Sequence, residues 1–180
     1  ALCLAEDGAD VVIICRSRLD LAENVANKIR MLGRKSFALK VDIGQSIKVN
    51  EAFKKIIEEY GKIDILINNA AIVEFKALDE MSDEEWHETL NVNLNGAFYC
   101  TRATLPSMIQ QRYGRLIYVS SGSGIRGSAY LAHYSASKSG LLGFMKGIAK
   151  EVAKYSITVN AIIPGSIETD QSRGSAGEKV

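Results

Sequence analysis

A doubly wound α/β fold, with a parallel sheet between two layers of helices, is predicted by three observations. Short, β-branched apolar runs alternate along the chain with stretches whose apolar residues recur at helical spacing. The strand runs are apolar throughout rather than every second residue, the pattern of strands covered on both faces. No hairpin signal joins any two of them, so successive strands are expected to run parallel through right-handed crossovers.

Each element can be justified in order. Ala1–Asp7 reads as the last turns of a helix stopped by Gly8. Val11–Cys15 is a wholly apolar strand. Ala22, Val25, Ala26, Ile29 and Leu32 form a helical stripe ended by Gly33, and Phe37–Val41 is the next strand, closing on Asp42. Val49, Ala52, Phe53, Ile56, Ile57 and Tyr60 form a second stripe, ended by Gly61. Ile63–Ile67 is a strand running into Asn68, Asn69, Ala70 and Ala71. Ser82-Asp83-Glu84-Glu85 is a capping-box pattern. It opens one long helix whose stripe runs from Trp86 to Ile109, with Pro106 as a possible bend and Gly114 as its end. A strand starts at Leu116. A helix over about 133–154 leads to a fifth strand, Ile157–Ile163, and then to Pro164-Gly165. From Gln171 onward the polar, aperiodic sequence reads as a loop or frayed tail. The whole is expected to be a single domain, 1–180, with no repeats and no linker.

Composition narrows the function. The chain has 180 residues, enough for one sizeable core, and 22 basic against 21 acidic residues give a net charge of +1. Charge this balanced and this dispersed offers no nucleic-acid or membrane surface, and no apolar run approaches a membrane span. The three cysteines, Cys3, Cys15 and Cys100, are odd in number and lie in apolar surroundings. They read as small buried residues in a reducing, cytoplasmic compartment rather than as disulfides or ligands. His87 and His133 read as surface or loop residues. With no cluster of Cys, His or carboxylates, no metal site is expected.

The chemistry centres on LIYVSSGSGIRGSAYLAHYSASK, Leu116 to Lys138. Tyr134 and Lys138 are four residues apart, so on a helix they share a face. An ammonium beside a phenol favours phenolate, which lowers the phenol pKa towards the range a proton donor to a carbonyl needs. Ser121 follows a strand at its carboxyl end, where open α/β sheets place ligands, and its hydroxyl can donate to the same oxygen. Ser120 reads as a space-filling partner of Ser121. Trp86 and Tyr99 read as core or interface packing.

Asn68-Asn69-Ala70-Ala71 after a strand, Asn93 in a long helix, Ser121, Tyr134 with Lys138, and Pro164-Gly165 after the last strand occur in an order and spacing that resemble the short-chain dehydrogenase/reductase family. The resemblance runs to Asp170 and implies a three-layer Rossmann-like fold. It implies Tyr134 as general acid, Lys138 as the cation that acidifies it and holds the nicotinamide ribose, and Ser121 as the group orienting the carbonyl. Asn93 would fix a water leading from Lys138 to solvent. Asn69, Ala70, Pro164, Gly165 and Ile167 would line the cofactor, Asp42 and Ile43 would contact its adenine, and Asn68 would brace the strand end. At the end of the Val11–Cys15 strand an NAD-selective enzyme places an acidic residue. Here Cys15 is followed by Arg16, with Arg18 near. A guanidinium suits a 2′-phosphate, so NADP(H) is preferred, with NAD(H) possible.

The family's first strand and its phosphate-binding glycine turn are absent, and the chain stops soon after Pro164-Gly165. A partial sequence, truncated at both ends, is therefore expected, inactive alone and weak in dinucleotide binding. The segment around ITVNAIIPGSIETD looks most like the 3-oxoacyl-[acyl-carrier-protein] reductases of fatty-acid synthesis, in which Arg112 would match a basic carrier-docking position. The second such position is Tyr155 here. Sugar, polyol and other alcohol dehydrogenases share the motifs, and a non-catalytic binding module is a third possibility. The resemblance also implies pairing of the helices at about 83–112 and 133–154 across a twofold axis, hence a homodimer or homotetramer.

Overall fold

The computed structural model describes residues 1–165 and residue 167. The tail read as a loop from Gln171 onward, and Asp170, lie outside the described residues. The chain divides into two compact units, residues 1–62 and 63–180.

The first unit contains α1 (Leu2–Glu6), β1 (Val11–Cys15), α2 (Leu19–Met31), β2 (Ser36–Lys40) and α3 (Ser46–Tyr60). The two strands pair in parallel, Val11 opposite Ser36 and Cys15 opposite Lys40. The helical stripes bury Ala22, Ala26 and Ile29 on α2 and Val49, Ala52, Phe53 and Ile56 on α3. Gly8, Gly33 and Gly61 follow the three helices with φ of +96°, +76° and +77°, a left-handed conformation that only glycine adopts without strain. Cys3, read as buried, is exposed: α1 is five residues long and buries only Ala5.

The second unit contains β3 (Ile65–Asn68), α4 (Asp83–Leu90), α5 (Gly96–Gln111), β4 (Gly114–Val119), α6 (Ser123–Arg126), α7 (Ala132–Val152) and β5 (Ile157–Ile162). Its strands form a parallel sheet in the order β3-β4-β5, with Asn68 opposite Tyr118 and Tyr118 opposite Ala161. β4 alternates between buried Gly114, Leu116 and Tyr118 and half-buried Arg115, Ile117 and Val119. The buried face meets α5 and α7 in a core that includes Met108, Leu116, Tyr118, Leu141, Val152 and Ile157.

The strands pair in parallel as expected, two of them in the first unit and three in the second; apolar runs identify strands, whereas their neighbours are set by packing. Two expectations need correction. The long helix is broken into α4 and α5 by a π-helical turn over Asn91–Asn95, while α5 continues through Pro106. It ends at Arg112, which takes the left-handed cap conformation with φ +53°, not at Gly114. Gly114 opens β4 instead, where a Cβ would stand 2.5 Å from the Met108 sulfur.

Candidate active site

The parallel register places the residues that follow β3, β4 and β5 at one edge of the second unit's sheet. Those residues are Asn69 and Ala70, Ser120 and Ser121, and Ile163 to Gly165. This carboxyl edge is where ligands of such sheets bind. Asn69 and Ala70 are exposed, and Ile167 is 61% exposed. Gly165 has nothing within 4 Å of where a Cβ would be. Asn68 faces inward and donates to Thr101 Oγ1 at 3.4 Å, and Thr101 in turn bonds the Tyr118 hydroxyl at 2.8 Å. Burial pushes the Tyr118 phenol up to about 12. It is a core residue.

α7 carries Tyr134 and Lys138. Lys138 is 2% exposed. Its Nζ lies 5.6 Å from the centre of the Tyr134 ring and donates to the Val119 carbonyl at 2.8 Å. Burial, with no carboxylate partner among the described residues, pushes its ammonium down to about 8. An ammonium has three donors, so the Val119 bond leaves two uncommitted. Ser121 is half-buried, and its Oγ accepts from the Ser123 amide at 3.2 Å. A hydroxyl that accepts keeps its proton to donate. Among the described residues no group bonds the Tyr134 hydroxyl; its side-chain contact is the Lys138 cation over its ring.

Asn93 sits in the π-helical turn, 1% exposed. Its amide clamps residue 72, accepting from the Ile72 amide at 2.8 Å and donating to the Ile72 carbonyl at 2.9 Å. The remaining N–H reaches Ser137 Oγ at 3.1 Å, and Ser137 donates to the Tyr134 carbonyl at 2.7 Å. One acceptor lone pair of Asn93 Oδ1 is left. Ser137 and the Ile72 and Val119 backbone groups complete this constellation and escaped the sequence reading. Ser137 is three residues beyond Tyr134, but backbone partners carry no side-chain signal.

His133, read as a surface or loop residue, is 1% exposed on the first turn of α7. That turn packs against α4, which explains the difference. Its Nδ1 is buried with no hydrogen-bond partner, and burial pushes the imidazole below its usual range, against the pull of Glu74 and Glu85. Glu85 itself closes the Ser82 capping box and lies 3.4 Å from Lys76.

The remaining candidates, Arg112 apart, lie in the first unit. Arg16, Ser17 and Arg18 are exposed just past β1. Asp42 is half-buried beyond β2, where its carboxylate accepts from the Gly44 amide at 3.0 Å and from Gln45 Nε2 at 3.2 Å. That makes it a turn-former before α3. Ile43 beside it is half-buried. Arg112 donates through Nη2 to the Lys154 carbonyl at 3.0 Å.

Comparison with known proteins follows the same lines. The family model described as short chain dehydrogenase matches residues 1–179. The 3-oxoacyl-[acyl-carrier-protein] reductase FabG of Staphylococcus epidermidis is 37% identical over 172 residues, covering 96% of this chain and 70% of that protein. The Escherichia coli FabG is 37% identical over 177 residues, covering 98% and 70%. Among solved structures, a gluconate 5-dehydrogenase from Burkholderia cenocepacia, in complex with NADP and tartrate, superimposes with a TM-score of 0.90 at 31% identity, over 97% of this chain and 68% of that one. An NAD+-bound xylitol dehydrogenase gives 0.87 at 29% identity, over 95% and 66%. Parallel strands joined by helices, the family match over nearly the whole chain and relatives that are dehydrogenases and reductases place this chain in the short-chain dehydrogenase/reductase family of oxidoreductases, with its Rossmann-like fold.

Proposed function

We propose that the protein is an NADPH-dependent reductase that converts a carbonyl to a hydroxyl, and that its substrate is a 3-oxoacyl chain carried on acyl carrier protein. The observation that carries this reading is the uncommitted Tyr134 hydroxyl, with the buried Lys138 ammonium over its ring, on the helix that follows Ser121. When bound, the reduced nicotinamide supplies a hydride to the carbonyl carbon. Ser121 donates a hydrogen bond to the carbonyl oxygen, and Tyr134 gives that oxygen its proton. The Lys138 ammonium stabilises the phenolate left behind. Asn93, held by the Ile72 backbone, keeps one lone pair for a water on the path that returns the proton.

Residues at the carboxyl edge of the second unit's sheet support dinucleotide binding. Asn69, Ala70, Gly165 and Ile167 are exposed at the sheet's carboxyl edge, and Lys138 keeps N–H donors for ribose hydroxyls. For the first unit taken by itself, the guanidinium of Arg16 supports a preference for a 2′-phosphate over a 2′-hydroxyl, and Asp42 and Ile43 are proposed as adenine contacts. The carrier-linked substrate rests on the FabG relatives, as does a cytoplasmic location. The sugar and polyol reading is favoured by one feature. The Arg126 guanidinium folds back over Gly122, 3.2 Å from where a Cβ would be, beside Ser121. There it suits a carboxylate such as a sugar acid bears.

We assign the complete protein to a homodimer or homotetramer built on α5 and α7. Among the described residues, nothing lies within 4 Å of where a Cβ would stand on Gly143 or Gly147 of α7, which leaves room for a partner helix to approach closely.

Turnover of 3-oxoacyl-carrier substrates, keto sugars and sugar acids by the complete enzyme, with NADPH and with NADH, tests the proposal. The expected result is reduction of the acyl-carrier substrate with NADPH preferred, and its loss by about a hundredfold or more in Tyr134→Phe, with cofactor binding retained. Full activity in Tyr134→Phe would refute it. Turnover confined to sugar acids would select the second reading.

A further inference from the structure

Three contacts fasten the short helix α6 and the Ser120 that leads into it to α7. Ser120 Oγ donates to the Lys138 carbonyl at 3.0 Å. Ser139 Oγ donates to the Gly124 carbonyl at 2.7 Å. Gly124 lies so close to α7 that a Cβ on it would stand 2.8 Å from the Lys138 carbonyl carbon and 3.0 Å from its oxygen. Both of those Lys138 atoms are backbone, which cannot rotate out of the way as a side chain can. The α6 turn therefore rests directly on the α7 backbone, one helical turn past Tyr134.

Ser121 stands at the head of that turn, its hydroxyl held by the Ser123 amide. Apart from α7, the segment is held by the backbone bonds of its own turn and by the Lys76 amide, which donates to the Tyr130 carbonyl at 2.8 Å. Gly122, Gly124 and Gly127 punctuate it, and glycine restrains a backbone least. Its residues from Ile125 to Tyr130 are exposed. Its main side-chain tie other than those to α7 is Ser123 to Ser128 at 2.8 Å.

Resting on the reading of Ser121 as the group that orients the carbonyl, we infer that Ser139 and Gly124 are positioning residues that fix the Ser121 hydroxyl against Tyr134 and Lys138 by clamping α6 to the α7 backbone. Neither touches substrate. Ser139 supplies the hydrogen bond, and Gly124 supplies the absence of a side chain that lets the backbones meet. A displaced hydroxyl binds the carbonyl oxygen less well, and small misplacements are costly in rate.

The test uses the complete enzyme and the substrate it reduces. Ser139→Ala is expected to lower kcat roughly five- to tenfold, about the worth of one hydrogen bond, with KM for the cofactor and Tm nearly unchanged. Ser139→Thr, which keeps the hydroxyl, is expected to restore most of the rate. The deciding measurement is the double variant. In Ser121→Ala, adding Ser139→Ala should cost nothing more, because the group it positions is gone. An equal fractional loss in both backgrounds overturns the clamp while leaving Ser121 as assigned. An unaltered rate in Ser139→Ala does the same. A silent Ser121→Ala sinks the assignment of Ser121 and the clamp with it.

Discussion

Lys138 shows how one residue couples stability to chemistry. Its burial beside Val119 and Tyr134 lowers its pKa from 10.5 to about 8. The folded chain thus gives up this proton at lower pH than the unfolded chain, and between those two values the unfolded state binds more protons. Stability therefore rises with pH across that window, and below it the buried charge costs about 3 kcal/mol at 1.36 kcal/mol per unit. Lys138→Met removes that cost but leaves the Val119 carbonyl unpaired, offsetting about 1 kcal/mol or more. We expect the variant to lose turnover by at least about a hundredfold, to match or exceed the parent in Tm at pH 7, and to lose that relative advantage between pH 8 and 10.5. Thermal unfolding of both proteins across pH, beside an activity assay, checks it. Equal pH slopes would show that Lys138 is not buried as a charge. At this scale the sequence spoke clearly: Tyr134, Lys138 and Ser121 are side chains at helical and strand-end spacings, and spacing is visible in a string. The Val119 carbonyl that receives Lys138 was not, because every residue has a carbonyl.

At the scale of elements, the π-helical turn Asn91–Asn95 holds the pieces in register. It carries Asn93 into the interior, where one amide satisfies both backbone groups of Ile72 and reaches Ser137 under Tyr134. π turns inserted in α-helices recur at functional sites. Asn93→Ala would strand the N–H and C=O of half-buried Ile72 as well as Ser137. We expect a loss of about 2–4 kcal/mol in denaturant unfolding, and a larger loss of kcat than Asn93→Asp, which retains an acceptor for the Ile72 amide. A cost under about 0.5 kcal/mol would mean that residue 72 finds its partners elsewhere. The capping box of α4 was legible as Ser82 and Glu85, because caps are local side-chain chemistry. The π turn was not, since residues at helical spacing continue on either side of it. Nor was α6, whose Gly/Ser-rich run has no apolar period and is held helical by its seat on α7.

For the whole molecule, the assembly proposed through α7 is tested at Gly147. Open space before it means that Gly147→Trp should be tolerated by the isolated fold while blocking a partner helix. The complete protein is expected to fall from dimer or tetramer to a smaller species in light scattering, with Tm lowered mainly through the lost mass-action stabilisation. Unchanged mass would remove α7 from the interface.

By itself the sequence determined the order and type of nearly every strand and helix, because strand and helix periods are written along the chain, and the spacing of its reactive side chains nominated the candidate centre proposed above. The tertiary structure alone decided which strands pair, into a two-stranded and a three-stranded ladder. It also decided that His133 is buried against α4 and that Asn93 spends its amide on Ile72. These depend on contacts between residues far apart in sequence, many of them backbone groups or missing side chains, and such contacts leave no periodic trace.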